Sequence, residues 1–251
     1  YIQLQNKVTT VCRYSLDEAE NEWEYTEAGQ KLVEKSASLE NRNESLVILD
    51  SAIPSNIPGH DLVDKAKISD FIALVCDIRK STQRLSTNLV DARVNGIQRV
   101  FYETSALLPS LEVVIDHFSG SVTEYLGDGV LGFFPYLNDD DLYNSYYASI
   151  GCMEMVRTIV NSEIKSRYNL PPLDIGIGMA CGPAMVRKVA KKHVKAFGRC
   201  VWTASKLSGG TNLILIDDIL RGKWPSSQNG AINFRTKQLS KNVEGYKLYP
   251  Q

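Results

Sequence analysis

The apolar positions along this chain change their period several times, and the changes mark out its elements. Ala19, Trp23, Ala28, Leu32 and Val33 recur at roughly helical spacing behind Ser15 and Glu18, which have the spacing of a capping box. A helix with an acidic, solvent-facing outer side is therefore expected over 15–35. "SAIPSNIPGH" (51–60) has two Pro, a Gly and little periodicity, and reads as a linker. The boundary is placed near residue 65, giving an N-terminal helical extension with linker (1–65) and a main domain (66–251).

"FIALVCDI" (71–78) is a continuous apolar run, suited to a strand buried on both faces and closing on Asp77. A helix follows over 81–108, with Leu85, Leu89, Val94, Ile97, Val100 and Phe101 as its stripe. "GSVTEYL" and "VLGFF" are joined by Gly-Asp-Gly, a hairpin signal. A second long helix begins at "DDD" (139–141), where acids suit a helix start, and carries Leu142, Tyr146, Ile150, Met153, Val160 and Ile164 on one face. "LDIGIGMA" and "AMVRKVA" read as a pair of strands separated by "CGP". A short helix around 203–208, a strand "NLILID", and strands near 231–236 and 244–249 complete the order. This is β-α-β-β-α-β with additions, a split-βαβ, ferredoxin-like α+β plan with flanking helices.

Composition narrows the functions available. With 251 residues, 43% hydrophobic and 23% charged, the chain can build a core without covalent staples. Lys and Arg total 28 against 29 Asp and Glu, so net charge gives no argument for a nucleic-acid partner or an anionic membrane. Cys12, Cys76, Cys152, Cys181 and Cys200 form no CxxC pair, which argues against a disulfide framework or a zinc cluster. No apolar run approaches the roughly 20 residues of a membrane span, and no signal segment opens the sequence. A cytoplasmic location is the expectation. His60, His117 and His193 show no ligand spacing.

In the predicted plan the first strand and the hairpin are neighbours, so Asp77 and Asp128 can approach across 51 residues of sequence. Two carboxylates at strand ends suit a pair of hard divalent ions, which in phosphoryl chemistry sit about 3.5–4 Å apart. "IRKST" after Asp77 offers backbone N–H groups at a helix start, where phosphates are welcome. The plain alternatives are that Asp128 serves the turn and Asp77 caps a helix. Arg187, Lys188, Lys191, Lys192, Lys195 and Arg199 form a basic stretch that either meets a triphosphate or solvates a β arm.

"ALVCDIRKST", "GSVTEYLGDGVLGFF", "LDIGIGMACGPAMV" and "AFGRCVWTASKL", in this order and spacing over roughly residues 68–250, resemble the class III nucleotidyl cyclases. The resemblance implies that Asp77 and Asp128 bind two Mg²⁺ or Mn²⁺ ions per site and that Ile78 lends a carbonyl. It also implies that Arg79, Lys80, Ser81 and Thr82 cradle the β- and γ-phosphates and that Lys241 reaches the triphosphate. Sites would form across a homodimer interface. Glu124 stands at the purine-selecting position and Lys195 at its partner's. Trp202 replaces the transition-state Asn, Lys206 replaces the transition-state Arg without its bidentate fork, and Pro183 replaces a phosphate-binding Arg.

These departures resemble the bacterial pyrimidine cyclases of Pycsar antiphage defence, which make cyclic UMP or cyclic CMP. Trp202 narrows a purine pocket and offers a stacking face to a smaller base, or else anchors a dimer interface. Uracil and cytosine each offer partners to Glu124 and Lys195, guanine matches Glu124, and adenine is poorly served. The expectation is a phosphorus–oxygen lyase acting on a nucleoside triphosphate, UTP or CTP, that makes a 3′,5′-cyclic nucleotide as a second messenger. A guanylyl or adenylyl cyclase, a non-catalytic nucleotide-binding module and a plain α+β dimerisation domain are the alternatives.

Overall fold

Residues 1–25, 29–34, 67–87, 89, 91–188, 194–224 and 232–250 are described by a computed structural model. The first helix, α1 (Ile2–Tyr25), starts well upstream of Ser15. Leu4, Val8, Cys12, Leu16 and Ala19 recur every three or four residues and are all buried, so one stripe runs straight through the expected start. Ser15 and Glu18 lie inside the helix, where Glu18 Oε1 accepts from the Tyr14 hydroxyl at 2.7 Å. Residues 29–34 are also helical. The linker at 51–60 and the boundary near 65 fall outside the described residues.

Among the described residues eight strands form one sheet: β1 (Lys67–Ile78), β2 (Ser121–Tyr125), β3 (Gly129–Pro135), β4 (Ile175–Lys188), β5 (Val194–Phe197), β6 (Leu213–Ile216), β7 (Ile232–Ser240) and β8 (Val243–Pro250). Their order is β2-β3-β1-β4-β6-β8-β7, with β5 paired to the far half of β4. β4 and β6 run parallel and the other pairings are antiparallel. β1 is central, as its unbroken apolar run requires: it pairs with β3 on one side and with β4 along its whole length on the other.

Successive residues of β1 point to opposite faces. Ile72, Leu74, Cys76 and Ile78 enter the larger core, shared with α1, α3 (Gly96–His117), α4 (Asp139–Met155) and α5 (Asn161–Tyr168). Phe71, Ala73 and Val75 join a smaller cluster with Leu131, Phe133 and Ala180, covered by α6 (Arg199–Leu207). α6 lies directly on the β4 backbone. A Cβ on Gly178 would stand 2.0 Å from the Ala204 carbonyl oxygen, so the alternating glycines of "IGIGMA" are what this contact requires.

Three local expectations are corrected. The single helix over 81–108 is two, α2 (Ser81–Ser86) and α3, because Asn95 caps a new start: its Oδ1 accepts from Gln98 N at 2.9 Å. Leu85 is exposed and not part of the α3 stripe. The strand pair split at "CGP" is one strand, β4, and its hairpin partner is β5. Pro183 is tolerated there because its cross-strand partner Asp70 turns its carbonyl to β3, accepting from Tyr136 N at 3.1 Å. On its other side β4 is paired only at 176–179 and 185–188, so no ladder bond needs the missing N–H.

Between α4 and α5 the helix widens into a π turn, Val156–Val160. A further short helix, α7 (Asp218–Lys223), was not foreseen; Asp217 caps it by accepting from Leu220 N at 2.8 Å. All five cysteines are free and buried. Among the described residues no helix is long and apolar enough to cross a membrane.

Candidate functional site

The Gly-Asp-Gly turn brings its acid to the end of β1. Asp77 pairs with Gly129 across the β1–β3 ladder, and Ile78 N donates to the Asp128 carbonyl at 3.2 Å. Each glycine has a separate task. Gly127 adopts φ +83°, which L side chains avoid, and a Cβ on Gly129 would stand 2.3 Å from the Cys76 carbonyl oxygen. Asp128 is thus held against β1, where its charge acts on the Asp77 carboxyl.

The Asp77 carboxyl is pushed up to about 6, first by burial and next by the adjacent Asp128 charge, with Arg79 and Lys241 opposing the rise. Lys241 is placed so that its charge acts on Asp77. It sits in the left-handed two-residue turn between β7 and β8, at φ 45° followed by Asn242 at φ 66°. Arg79 is in direct contact: its Nη2 donates to Asp77 Oδ2, and also to the Ile78 carbonyl at 3.2 Å. The Arg79 backbone N–H is taken by the Asp174 carbonyl at 2.8 Å. Lys80, at φ 61°, leads into Ser81 and Thr82 at the start of α2, whose first turn has no side-chain cap.

One supporting group escaped the sequence reading. Glu103 is buried and accepts from Arg99 Nε at 2.9 Å and from Arg84 Nε at 3.0 Å, while Arg84 also donates to the carbonyls of Pro171 and Pro172. This ties α2 to α3 and to the loop before β4. Arg99 and Glu103, four apart on a helix, were a legible signal; the link to Arg84 depends on the chain break between the two helices.

A second group forms on the face carrying α6. Lys195 Nζ meets Glu124 Oε2 at 3.2 Å, and Glu124 Oε1 also accepts from Ala196 N at 3.5 Å. Trp202 is 55% exposed on α6, too open for a core residue, and Lys206 Nζ lies 5.5 Å from its ring centroid. Arg199 is exposed at the opposite end of α6, where its charge acts on Asp217. That end lies against Pro183, opposite Asp70, seven residues along β1 from Asp77 and hence about 23 Å away. Within one chain, then, Asp77, Asp128, Ile78 and Arg79 are gathered, the charge of Lys241 acts on Asp77, Glu124 joins Lys195, and Trp202 joins Lys206. Arg199 stands apart. The side chains of Arg187 and Lys188, and Lys191 and Lys192, lie outside the described residues.

Two adjacent carboxylates and a carbonyl are hard oxygen donors that fit Mg²⁺ or Mn²⁺, ions that commonly take one or two carboxylates and complete their shells with water and substrate phosphate. Among the described residues no cluster of three or more His, Cys, Asp or Glu side chains could hold a metal by itself.

No protein-family model matches the sequence, and no curated protein is significantly similar to it. Solved structures are similar in fold. The guanylyl cyclase Cya2 superposes with TM-score 0.59 at 18% identity, over 73% of this chain and 93% of that one. The adenylyl cyclase CyaB from P. aeruginosa gives 0.59 at 16%, over 74% and 97%. The guanylate cyclase domain of RhGC from Catenaria anguillulae, in complex with GTP, gives 0.55 at 18%, over 74% and 99%. The sheet and its flanking helices have the fold of class III cyclase catalytic domains, with α1 as an N-terminal helix.

Proposed function

We propose that this protein is a nucleotidyl cyclase that converts a pyrimidine nucleoside triphosphate, UTP or CTP, into the 3′,5′-cyclic nucleotide and pyrophosphate. The observation that carries the reading is the Asp77–Asp128 pair at the end of β1, in a fold whose solved examples include guanylyl and adenylyl cyclases. Asp77, Asp128 and the Ile78 carbonyl would hold two Mg²⁺ or Mn²⁺ ions. Such a pair, when bound, activates the ribose 3′-hydroxyl for in-line attack on the α-phosphate and neutralises the departing pyrophosphate. Lys241 and the first turn of α2, entered through Lys80, Ser81 and Thr82, receive the β- and γ-phosphates.

The active form is a homodimer with two composite sites. Exposed Trp202 and its neighbour Lys206 belong to a surface that a second copy covers, and they face the acids of that copy together with Glu124 and Lys195. Uracil presents an N–H between two carbonyls, so one edge matches the donor and acceptor of the Lys195–Glu124 pair. Trp202 closes off the volume a purine needs. Lys206 places a positive charge beside the reacting phosphate, and Arg199 lies on the rim of the contact. The product is a second messenger, made in the cytoplasm as part of antiphage defence. Residues 66–251 form the catalytic domain, and residues 1–65 are an extension whose α1 packs on it.

Glu124 also supports a guanylyl cyclase, since its carboxylate can accept from the adjacent N–H donors of guanine. Purified protein is incubated with Mn²⁺ and each of ATP, GTP, CTP and UTP, and products are identified by mass. Cyclic UMP or cyclic CMP is the expected result. Cyclic GMP would select the guanylyl reading, and nucleotide binding without pyrophosphate release would make this a regulatory module.

A further inference from the structure

The oxygens that the proposed function gives to a cation already have one. Arg79 Nη2 donates both to the Asp77 carboxylate and to the Ile78 carbonyl, so a single nitrogen spans two of the three groups assigned to the metals. The side chain is 14% exposed, and that of Asp77 is 20% exposed. The guanidinium is not otherwise at home: Arg79 Nε is buried with no hydrogen-bond partner among the described residues. A guanidinium bound in its preferred way uses a planar fork of two parallel N–H donors, and that fork matches a phosphate as well as a carboxylate. Here the fork is half used.

We infer that Arg79 is a tethered counter-ion that occupies the cation site until a triphosphate draws it away, making metal loading conditional on the nucleotide. The inference rests on the acid-pair reading of the site. A guanidinium and a divalent ion cannot share Asp77 and Ile78 at contact distance, because the two cations repel. Loading therefore requires Arg79 to leave. The natural acceptor is the triphosphate of the proposed substrate, to which the fork can bind bidentately while Nε gains a partner. Metal and triphosphate then assist one another, since each favours the conformation with Arg79 displaced, and such coupling is reciprocal.

The test is binding of Mn²⁺ alone to metal-free, phosphate-free protein, read as loss of the free-ion paramagnetic signal. Arg79→Met should bind Mn²⁺ about tenfold more tightly than the wild type, within the usual range of coupling between sites, with Arg79→Lys in between. Arg79→Gln serves if the Met variant loses its cooperative melt. Wild-type affinity equal to or tighter than that of the Met and Gln variants would overturn the inference and leave the acid-pair reading standing. Adding Asp77→Asn to Arg79→Met should erase the gain. If the double variant keeps full affinity, or if no variant binds Mn²⁺ at millimolar concentration, the acid-pair reading falls and the inference with it.

Discussion

On one side of the sheet α1, α3, α4 and α5 enclose a continuous hydrocarbon core; on the other, among the described residues, α6 alone covers a small cluster around Phe71, Phe133 and Ala180. Asp77 follows Phe71, Ala73 and Val75 onto the thin side, and Trp202 stands exposed there on α6. The thick side supplies stability and the thin side leaves polar groups within reach of ligands. β1 serves both by simple alternation, so mutations one residue apart should report on different properties.

The largest effect is expected at the acids. Asp77→Ala or Asp128→Ala should lower turnover at least about a thousandfold, roughly 4 kcal/mol of barrier, with a melting temperature no lower than that of the wild type; full activity in either variant would refute the metal assignment. On the thick side, Glu103→Ala leaves Arg84 and Arg99 without their shared carboxylate and should cost about 3–5 kcal/mol in urea unfolding. Leu16→Ala, fully buried in α1, should cost about 2–5 kcal/mol without altering nucleotide preference, and a negligible loss would show that α1 is dispensable to the core.

A pH titration of metal-free protein separates the sides differently. The folded value for Asp77, about 6, lies above its unfolded value near 3.8, so the native state binds the extra proton in this window. This group therefore stabilises the fold most below about pH 4, and its contribution is lost as pH rises through 6. Asp128→Asn, which removes the neighbouring charge, should flatten that decline in melting temperature; an unchanged slope would show that the two acids do not interact. The smallest effect belongs to Lys195→Met. It breaks a half-exposed ion pair worth at most about 1 kcal/mol, while shifting the ratio of turnover among the four nucleotides.

Much of this was legible in the sequence because it depends on near neighbours. Asp77 ends an apolar run and Asp128 is fixed by two flanking glycines, so strand and hairpin signals make their approach possible, and the resemblance in motif order implies the pair. What escaped depended on competing local signals, on distant register, or on side-chain conformation. The start of α1 was obscured by a local capping signal at Ser15 and Glu18, although the stripe from Leu4 to Ala19 carries on across it. Pro183 looked like a strand break because only the register with Asp70, and the gap between β5 and β6, reveal that its N–H is not needed. The resemblance implies that Arg79 helps to cradle phosphates; that its guanidinium turns back onto the preceding strand is set by side-chain rotamers, to which residue spacing is blind.

Cys76 and Asp77 are adjacent, yet one is sealed beside Cys152 beneath the helices and the other opens toward solvent. Inserting one residue between Asp70 and Asp77 would exchange these destinations, driving a carboxylate into hydrocarbon and presenting a thiol in its place. With β3 and β4 gripping both edges of this strand, the segment tolerates exchange of side chains but no change of length.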